Sequence, residues 1–232
     1  MSLLEVEGLN SYYGDSHILF DIAMRVEQHE VVALLGRNGA GKSTTLKSLM
    51  GVVRPRGGRI VLDGVSVAGR PAHTIAKLGM QLVPEDRRVF GSLNVEDNIV
   101  LAGLTAPKRW PLDRIYQMFP RLKERRSSRG TDLSGGEQQM LAIARALVRD
   151  PKIVLLDEPF EGLAPIIVHD LVRVCRDLAA TGLTIIVVEQ NIAAALNLAN
   201  RAYILNNGHV MHEGPTEELR RDPTILRRHL GV

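Results

Sequence analysis

Cysteine is nearly absent from this sequence. Of 232 residues only Cys175 carries a thiol, so no disulfide can close within the chain and a cysteine-built metal cluster is excluded. Oxidising compartments gain no support, and the cytosol is the default setting. Long apolar runs are also missing. The densest are Val31–Leu35, Ile153–Leu156 and Ile185–Val188, each far below the ~18 residues of a membrane span. Any action at a membrane would therefore pass through a partner. The opening Met1-Ser2-Leu3-Leu4-Glu5 has no basic region followed by an apolar run, so no signal peptide is expected. Neither sign of charge dominates: 29 basic and 26 acidic residues leave +3, too small a surplus to argue for nucleic acid. Repeats, low-complexity tracts and long linkers are absent. So is a G-x-S-x-G arrangement, which leaves covalent hydrolase chemistry unsupported. What is present is a 45% hydrophobic composition, enough for the core of one large α/β domain.

The apolar runs read as buried strands followed by helical patterns. Val31–Leu35 enters a glycine-rich turn and then a helix over about Lys42–Met50. Ile153–Leu156 precedes a helix over about Pro165–Ala180, where Ile167, Leu171, Val174 and Leu178 share one face. Gly182 ends that helix, and Leu183–Val188 reads as another strand. Strand, helix, strand in this order implies a mostly parallel sheet with right-handed crossovers. Residues 3–27 and 57–67 alternate and carry turn residues, which predicts antiparallel strands beside the main sheet. Residues 92–130 interrupt the alternation as a polar helical insertion. Its basic residues Arg121, Lys123, Arg125, Arg126 and Arg129 are either a solvated face or a docking surface. A short charged helical tail ends the sequence.

Gly36-Arg37-Asn38-Gly39-Ala40-Gly41-Lys42-Ser43, continued by Thr44, fits G-x-x-x-x-G-K-[ST] between a predicted strand and a predicted helix. Glycines let the backbone curl so that successive N–H groups face phosphate oxygens. The helix N-terminus adds positive potential. Lys42 supplies a point charge for β- and γ-phosphates, and the Ser43 hydroxyl suits magnesium. A second strand ends in Asp157-Glu158, at the ligand-binding edge of an open parallel sheet. Asp157 would hold magnesium. Glu158, on the opposite side by strand alternation, would orient or deprotonate the attacking water. Leu133-Ser134-Gly135-Gly136-Glu137-Gln138 is a third small-residue turn, with Ser134 as N-cap of a helix continuing through Gln139–Val148. Its N–H groups form a second anion site. Two phosphate devices in one chain imply that each completes a site on another subunit.

These three segments, in this order, resemble the nucleotide-binding subunits of ATP-binding cassette (ABC) transporters over essentially the whole chain. The resemblance implies a phosphate-loop NTPase fold in a single domain. Residues 1–91 and 148–214 would form the ATPase core with its antiparallel β subdomain, 92–147 a helical subdomain, and 215–232 a C-terminal tail. It implies a head-to-tail dimer with two ATP molecules and Mg²⁺ at the interface, each held by one phosphate loop and the other subunit's Ser134-Gly135-Gly136-Glu137 turn. Tyr13, followed by Gly14, matches the aromatic that stacks on adenine, with Tyr12 as its neighbouring candidate. Val83–Phe90, Met140–Ile143, Glu161–Pro165 and Val188–Asn191 resemble the branched-chain amino acid uptake branch, in particular the smaller of its two ATPase subunits; relatives there serve urea and short amides. Integral membrane permeases, a second ATPase subunit and, indirectly, a solute-binding protein would be partners, at the cytoplasmic face of the plasma membrane. Exporter and regulatory ATPases are rival readings. Three positions depart from the general family pattern. Glu85 replaces the usual glutamine that couples to the membrane subunit and would lie near nucleotide and metal. Gln190 replaces a histidine near the γ-phosphate, and Ala164 replaces an aspartate. Gln190 can donate a hydrogen bond to phosphate but cannot titrate near pH 7.

His209-x-x-His212 lies in a predicted Tyr203–Glu213 hairpin turning through Asn206-Asn207-Gly208. Strand alternation would put the two rings on opposite faces, against a metal pair.

Overall fold

The structure, a computed structural model, describes residues 2–105 and 109–231. Met1, Val232 and positions 106–108 of the expected helical insertion lie outside the described residues. The chain opens with two long strands, β1 (Ser2–Tyr13) and β2 (Ser16–Glu27), paired antiparallel. A fully buried strand, β3 (Val31–Leu35), leads through the glycine loop into α1 (Lys42–Leu49). β4 (Gly57–Leu62) and β5 (Val65–Ser66) form a second hairpin, followed by α2 (Ala72–Lys77) and β6 (Met80–Val83). The insertion is helical, as its polar periodicity predicts: α3 (Val95–Gly103), α4 (Leu112–Met118), α5 (Pro120–Glu124) and α6 (Gly135–Leu147). β7 (Ile153–Asp157), α7 (Pro165–Ala180), β8 (Thr184–Glu189) and α8 (Ile192–Leu198) restore the alternation. β9 (Arg201–Asn206) and β10 (His209–Pro215) turn back on each other before α9 (Thr216–Arg221) and α10 (Thr224–Leu230).

Among the described residues the strands form two sheets. One is antiparallel, in the order β2-β1-β4-β5. The other runs β10-β9-β3-β8-β7-β6, parallel except at the β9–β10 edge. β3, β7 and β8 are buried at every position, the pattern of strands covered on both faces. Their alternate side chains divide between two cores. Val32, Leu34, Leu155, Ile186 and Val188 pack toward the antiparallel sheet and α1. Val31, Ala33, Leu35, Leu156 and Val187 pack toward the helices that follow β6. Fully burying one such side chain is worth ~1.5–3 kcal/mol, so the two faces fix the register of the middle strands.

That register positions the site. Leu35 lies opposite Glu189, and Val188 opposite Asp157. The loops leaving β3, β7 and β8 therefore emerge side by side at one sheet edge. α7 occupies the predicted span, starting on Pro165 and closing at Gly182 in the left-handed conformation. Leu171, Val174 and Leu178 of its predicted stripe are buried, with Ile167 packed against the same core. One boundary differs from the sequence reading: β8 extends to Glu189, one residue past the expected end. α6 begins at Gly135, directly after the expected N-cap Ser134. The hairpin turn falls on Asn207-Gly208, both left-handed. An irregularity between Val210 and His212 interrupts the alternation used to place the two histidines, and His209 stacks on Phe20.

Candidate functional site

The glycine loop is shaped by contacts that admit no side chain. Gly39 and Gly41 have φ of 79° and 102°, where only glycine is unstrained. A Cβ on Gly36 would lie 2.8 Å from the Leu205 carbonyl oxygen. The loop ends on α1, whose N-cap Gly41 offers no side-chain cap and whose first turn carries no acid. Its leading N–H groups are therefore available to an anion.

Lys42 is 4% exposed. Its Nζ donates to the Arg37 carbonyl at 3.2 Å and pairs with Glu158 Oε1 at 3.3 Å. Ser43 Oγ donates to Asp157 Oδ1 at 2.7 Å. Gln190 Nε2 donates to Glu158 Oε2 at 2.6 Å. The sequence reading set Glu158 on the side of the strand opposite Asp157, and this is corrected. β7 ends at Asp157, and Glu158 adopts a left-handed backbone with φ of 48°. Alternation stops there, and both carboxylates reach the glycine loop. Gln190, which can donate to phosphate, here donates to Glu158 and lines the same cleft as the glycine loop.

The electrostatics separate these carboxylates. Burial raises the Asp157 carboxyl above its ordinary range, against the hydrogen bond from Ser43 and the charge of Lys47. Burial also pushes Glu158 up, but hydrogen bonds from Glu161 and Gln190 and the ammonium of Lys42 outweigh it, and its net shift is downward. Glu161 moves the other way, raised first by its hydrogen bond to Glu158. Ser43 and Asp157 offer adjacent hard oxygens, a donor set that fits a magnesium ion whose other ligands are phosphate and water.

A cleft of about 440 Å³ collects most of the predicted residues. Tyr13, the loop residues Asn38–Thr44, Glu85, Glu158 and Gln190 line it, together with Ile18 and Glu161. Gly36 and Arg37 line the adjoining cavity, again with Gln190. Of the two tyrosine candidates, Tyr12 is occupied, stacked on His17 and covered by Arg56. Tyr13 is half-exposed at the cleft. The Ser134–Glu137 turn does not line this cleft. It caps α6 reciprocally: Ser134 Oγ accepts from the Glu137 N–H at 3.3 Å, and Glu137 Oε2 accepts from the Ser134 N–H at 2.8 Å. Gly136 is pressed against α7, where a Cβ would lie 2.4 Å from Ile167 Cγ2. Of the insertion's basic residues, Arg125 donates to the Asp132 carbonyl and Arg121 approaches Asp170.

Sequence reasoning gave no role to Glu161 or Glu189. Glu189 ends a buried apolar strand, the same signal that singled out Asp157, and its carboxylate accepts from three backbone N–H groups. Burial pushes it up to about 7, against those three hydrogen bonds.

A parallel sheet with a glycine cradle after one strand and an acidic pair after another is the architecture of phosphate-loop NTPases. Comparison with known proteins carries this further. The ABC transporter family signature matches residues 19–161. A high-affinity branched-chain amino acid transport ATP-binding protein, BraG of Pseudomonas aeruginosa, is 42% identical over 99% of this chain and 100% of its own. A lipopolysaccharide export ATP-binding protein, LptB of Acidithiobacillus ferridurans, is 36% identical over 99% and 97%. A nucleotide-free ATP-binding cassette superposes with a TM-score of 0.85 at 23% identity, covering both chains completely. A dimeric bacterial ABC transporter cassette reaches 0.80 at 24% identity over 92% and 98%. The chain belongs to the ABC transporter ATP-binding family, whose cassettes bind and hydrolyse ATP and work with membrane permeases. No helix among the described residues is long and apolar enough to cross a membrane.

Proposed function

We propose that this chain energises solute uptake, with branched-chain amino acids as the solute class, by hydrolysing ATP in a head-to-tail dimer at the cytoplasmic face of the membrane. The observation that carries the reading is the convergence of Lys42, Ser43, Asp157 and Glu158 on one glycine cradle. In this reading, the N–H groups of Gly39–Thr44 and Lys42 hold the triphosphate, and Tyr13 stacks on the base. Ser43 and Asp157 hold magnesium, with Glu85 nearby. The metal, when bound, offsets charge on the phosphate oxygens. Glu158 orients the attacking water and accepts its proton, while Gln190 fixes the carboxylate from the other side. The Ser134–Glu137 turn lies outside the lining of this cleft, which suits a turn that caps the partner's nucleotide. Permease docking is supported by a groove of about 500 Å³ near Glu85 and α3. Val52, Phe90 and Leu101 are exposed there, and Arg87, Arg88 and Arg149 rim it.

ATP turnover by the purified dimer tests the catalytic part. Glu158→Gln should lower kcat by 10²-fold or more, the scale on which a positioned general base acts; an unchanged rate removes Glu158 from its role. Urea and short amides are alternative solutes. Lipopolysaccharide export is a second reading, favoured by the identity to LptB. Co-purification separates uptake from export: an uptake ATPase brings two permeases and a non-identical ATPase, and turnover rises with solute-loaded binding protein.

A further inference from the structure

We propose that Glu189 is a positioning residue for hydrolysis, its carboxylate locking the loop that carries Glu158 to the loop that carries Gln190. The inference rests on the roles assigned above to those two neighbours. Glu189 is 3% exposed at the end of β8. Its Oε1 accepts the Phe160 N–H at 2.9 Å, and its Oε2 accepts the N–H groups of Gln190 and Asn191, each at 3.2 Å. Phe160 stands two residues beyond Glu158 with its ring buried. Gln190 returns to Glu158 through its side chain at 2.6 Å. A closed circuit results: Glu158, the backbone to Phe160, the Glu189 carboxylate, the backbone of Gln190, and the Gln190 amide back to Glu158. The Glu189 backbone pairs with Leu35, the last residue before the glycine loop. The circuit therefore references the base to the same ladder that fixes the phosphate cradle.

Carboxylate is the chemistry this junction needs. Three donors converge on two oxygens, and only a group that accepts on both branches satisfies them all. An amide accepts on one branch and sets N–H against N–H on the other. A buried carboxyl pushed up to about 7 is costly to ionise, and an apolar side chain would leave the Phe160, Gln190 and Asn191 N–H groups without this acceptor. The position of the charge, rather than its net contribution to folding, is what the loops use.

Glu189→Gln preserves volume while removing one accepting branch, and it is to be assayed in the purified dimer at pH 8. The expected result is a kcat reduced by about 10- to 100-fold, the effect of misplacing a reacting group by roughly an ångström. ATP affinity should stay within about twofold, because Lys42 and the glycine loop are untouched. In a Glu158→Gln background, ATP-driven dimer formation should be unaffected by the second substitution. A kcat within threefold of the parent overturns the proposal. So does a loss of ATP affinity matching the loss of rate, which would make Glu189 a general support of the fold. Should the glutamine variant fail to fold, Glu189→Asp keeps the charge but shortens the reach; at least fivefold loss of kcat supports the proposal, and parental kcat overturns it. Glu158→Gln alone, if as active as the parent, refutes the underlying assignment whatever Glu189 does.

Discussion

Lys42 and Glu158 are both buried and hold each other at 3.3 Å. Each would be a stranded charge without the other. Lys42→Ala should reduce ATP affinity by about 10- to 100-fold, the worth of a charged hydrogen bond, and weaken the downward shift on Glu158 that Glu161 and Gln190 also maintain. Nucleotide titration with circular dichroism checks both affinity and fold; unchanged affinity would take the lysine out of the binding site. Glu189 supplies a pH test. Its carboxyl is raised in the fold from 4.5 to about 7, so the fold favours the protonated form. That stabilisation is fully present below about pH 4.5 and is lost as pH rises to about 7. Relative to Glu189→Gln, the parent should lose unfolding free energy across that window, by up to about 1.4 kcal/mol per pH unit. A flat difference in urea melts at pH 5, 6 and 7 would contradict it. At this scale the sequence was legible where residue type and spacing carry the chemistry, as in Lys42, Ser43 and Asp157. The side of Glu158 was not, because one left-handed residue ends the alternation. Nor was Glu189, because its partners are backbone N–H groups of loops with no pattern of their own.

At the scale of elements, α6 shows how a cap sets a boundary. Gly135 and Gly136 are poor helix formers, so only the cap residue Ser134 marks the start ahead of the helical spacing from Gln139. The reciprocal Ser134–Glu137 bonds bring the first turn into the helix. Ser134→Ala should therefore destabilise the chain by ~1 kcal/mol, read from denaturant midpoints at constant slope, and should also weaken ATP-driven dimerisation. Loss of one effect without the other would separate the cap from the proposed nucleotide contact. α7 was legible from end to end because its stripe, its Pro165 start and its Gly182 stop agree. Leu171, at 0% exposure within that stripe, should cost 2–5 kcal/mol when cut to alanine. Thermal or denaturant melts check this, and a loss under 1 kcal/mol would mean that the core closes over the gap.

At the scale of the molecule, the proposed head-to-tail pair would assemble each site from two chains. A Lys42→Ala chain has a defective cradle, and a Ser134→Arg chain a defective cap. Neither should turn over alone. In an equal mixture half the dimers are mixed, and each of those holds one complete site, so turnover should recover to about a quarter of the parent rate. No recovery, with mixed dimers demonstrated, would refute shared sites. The parallel sheet was legible from continuous apolar runs followed by helical patterns, and the antiparallel hairpins from alternation with turn residues. The meeting of Gln190 with cradle and acid pair was legible only through the family resemblance, since it depends on strand order rather than on any local segment.

The pairings of Leu35 with Glu189 and of Val188 with Asp157 carry one further consequence. A slip of β8 by a single position would move Gln190 along the strand by about 3.3 Å and turn it to the other side of the sheet. Neighbouring rungs fix where these side chains stand, so their alignment is no looser than the hydrogen bonds between strands, and a fault anywhere along those rungs would reach Glu158 as misalignment.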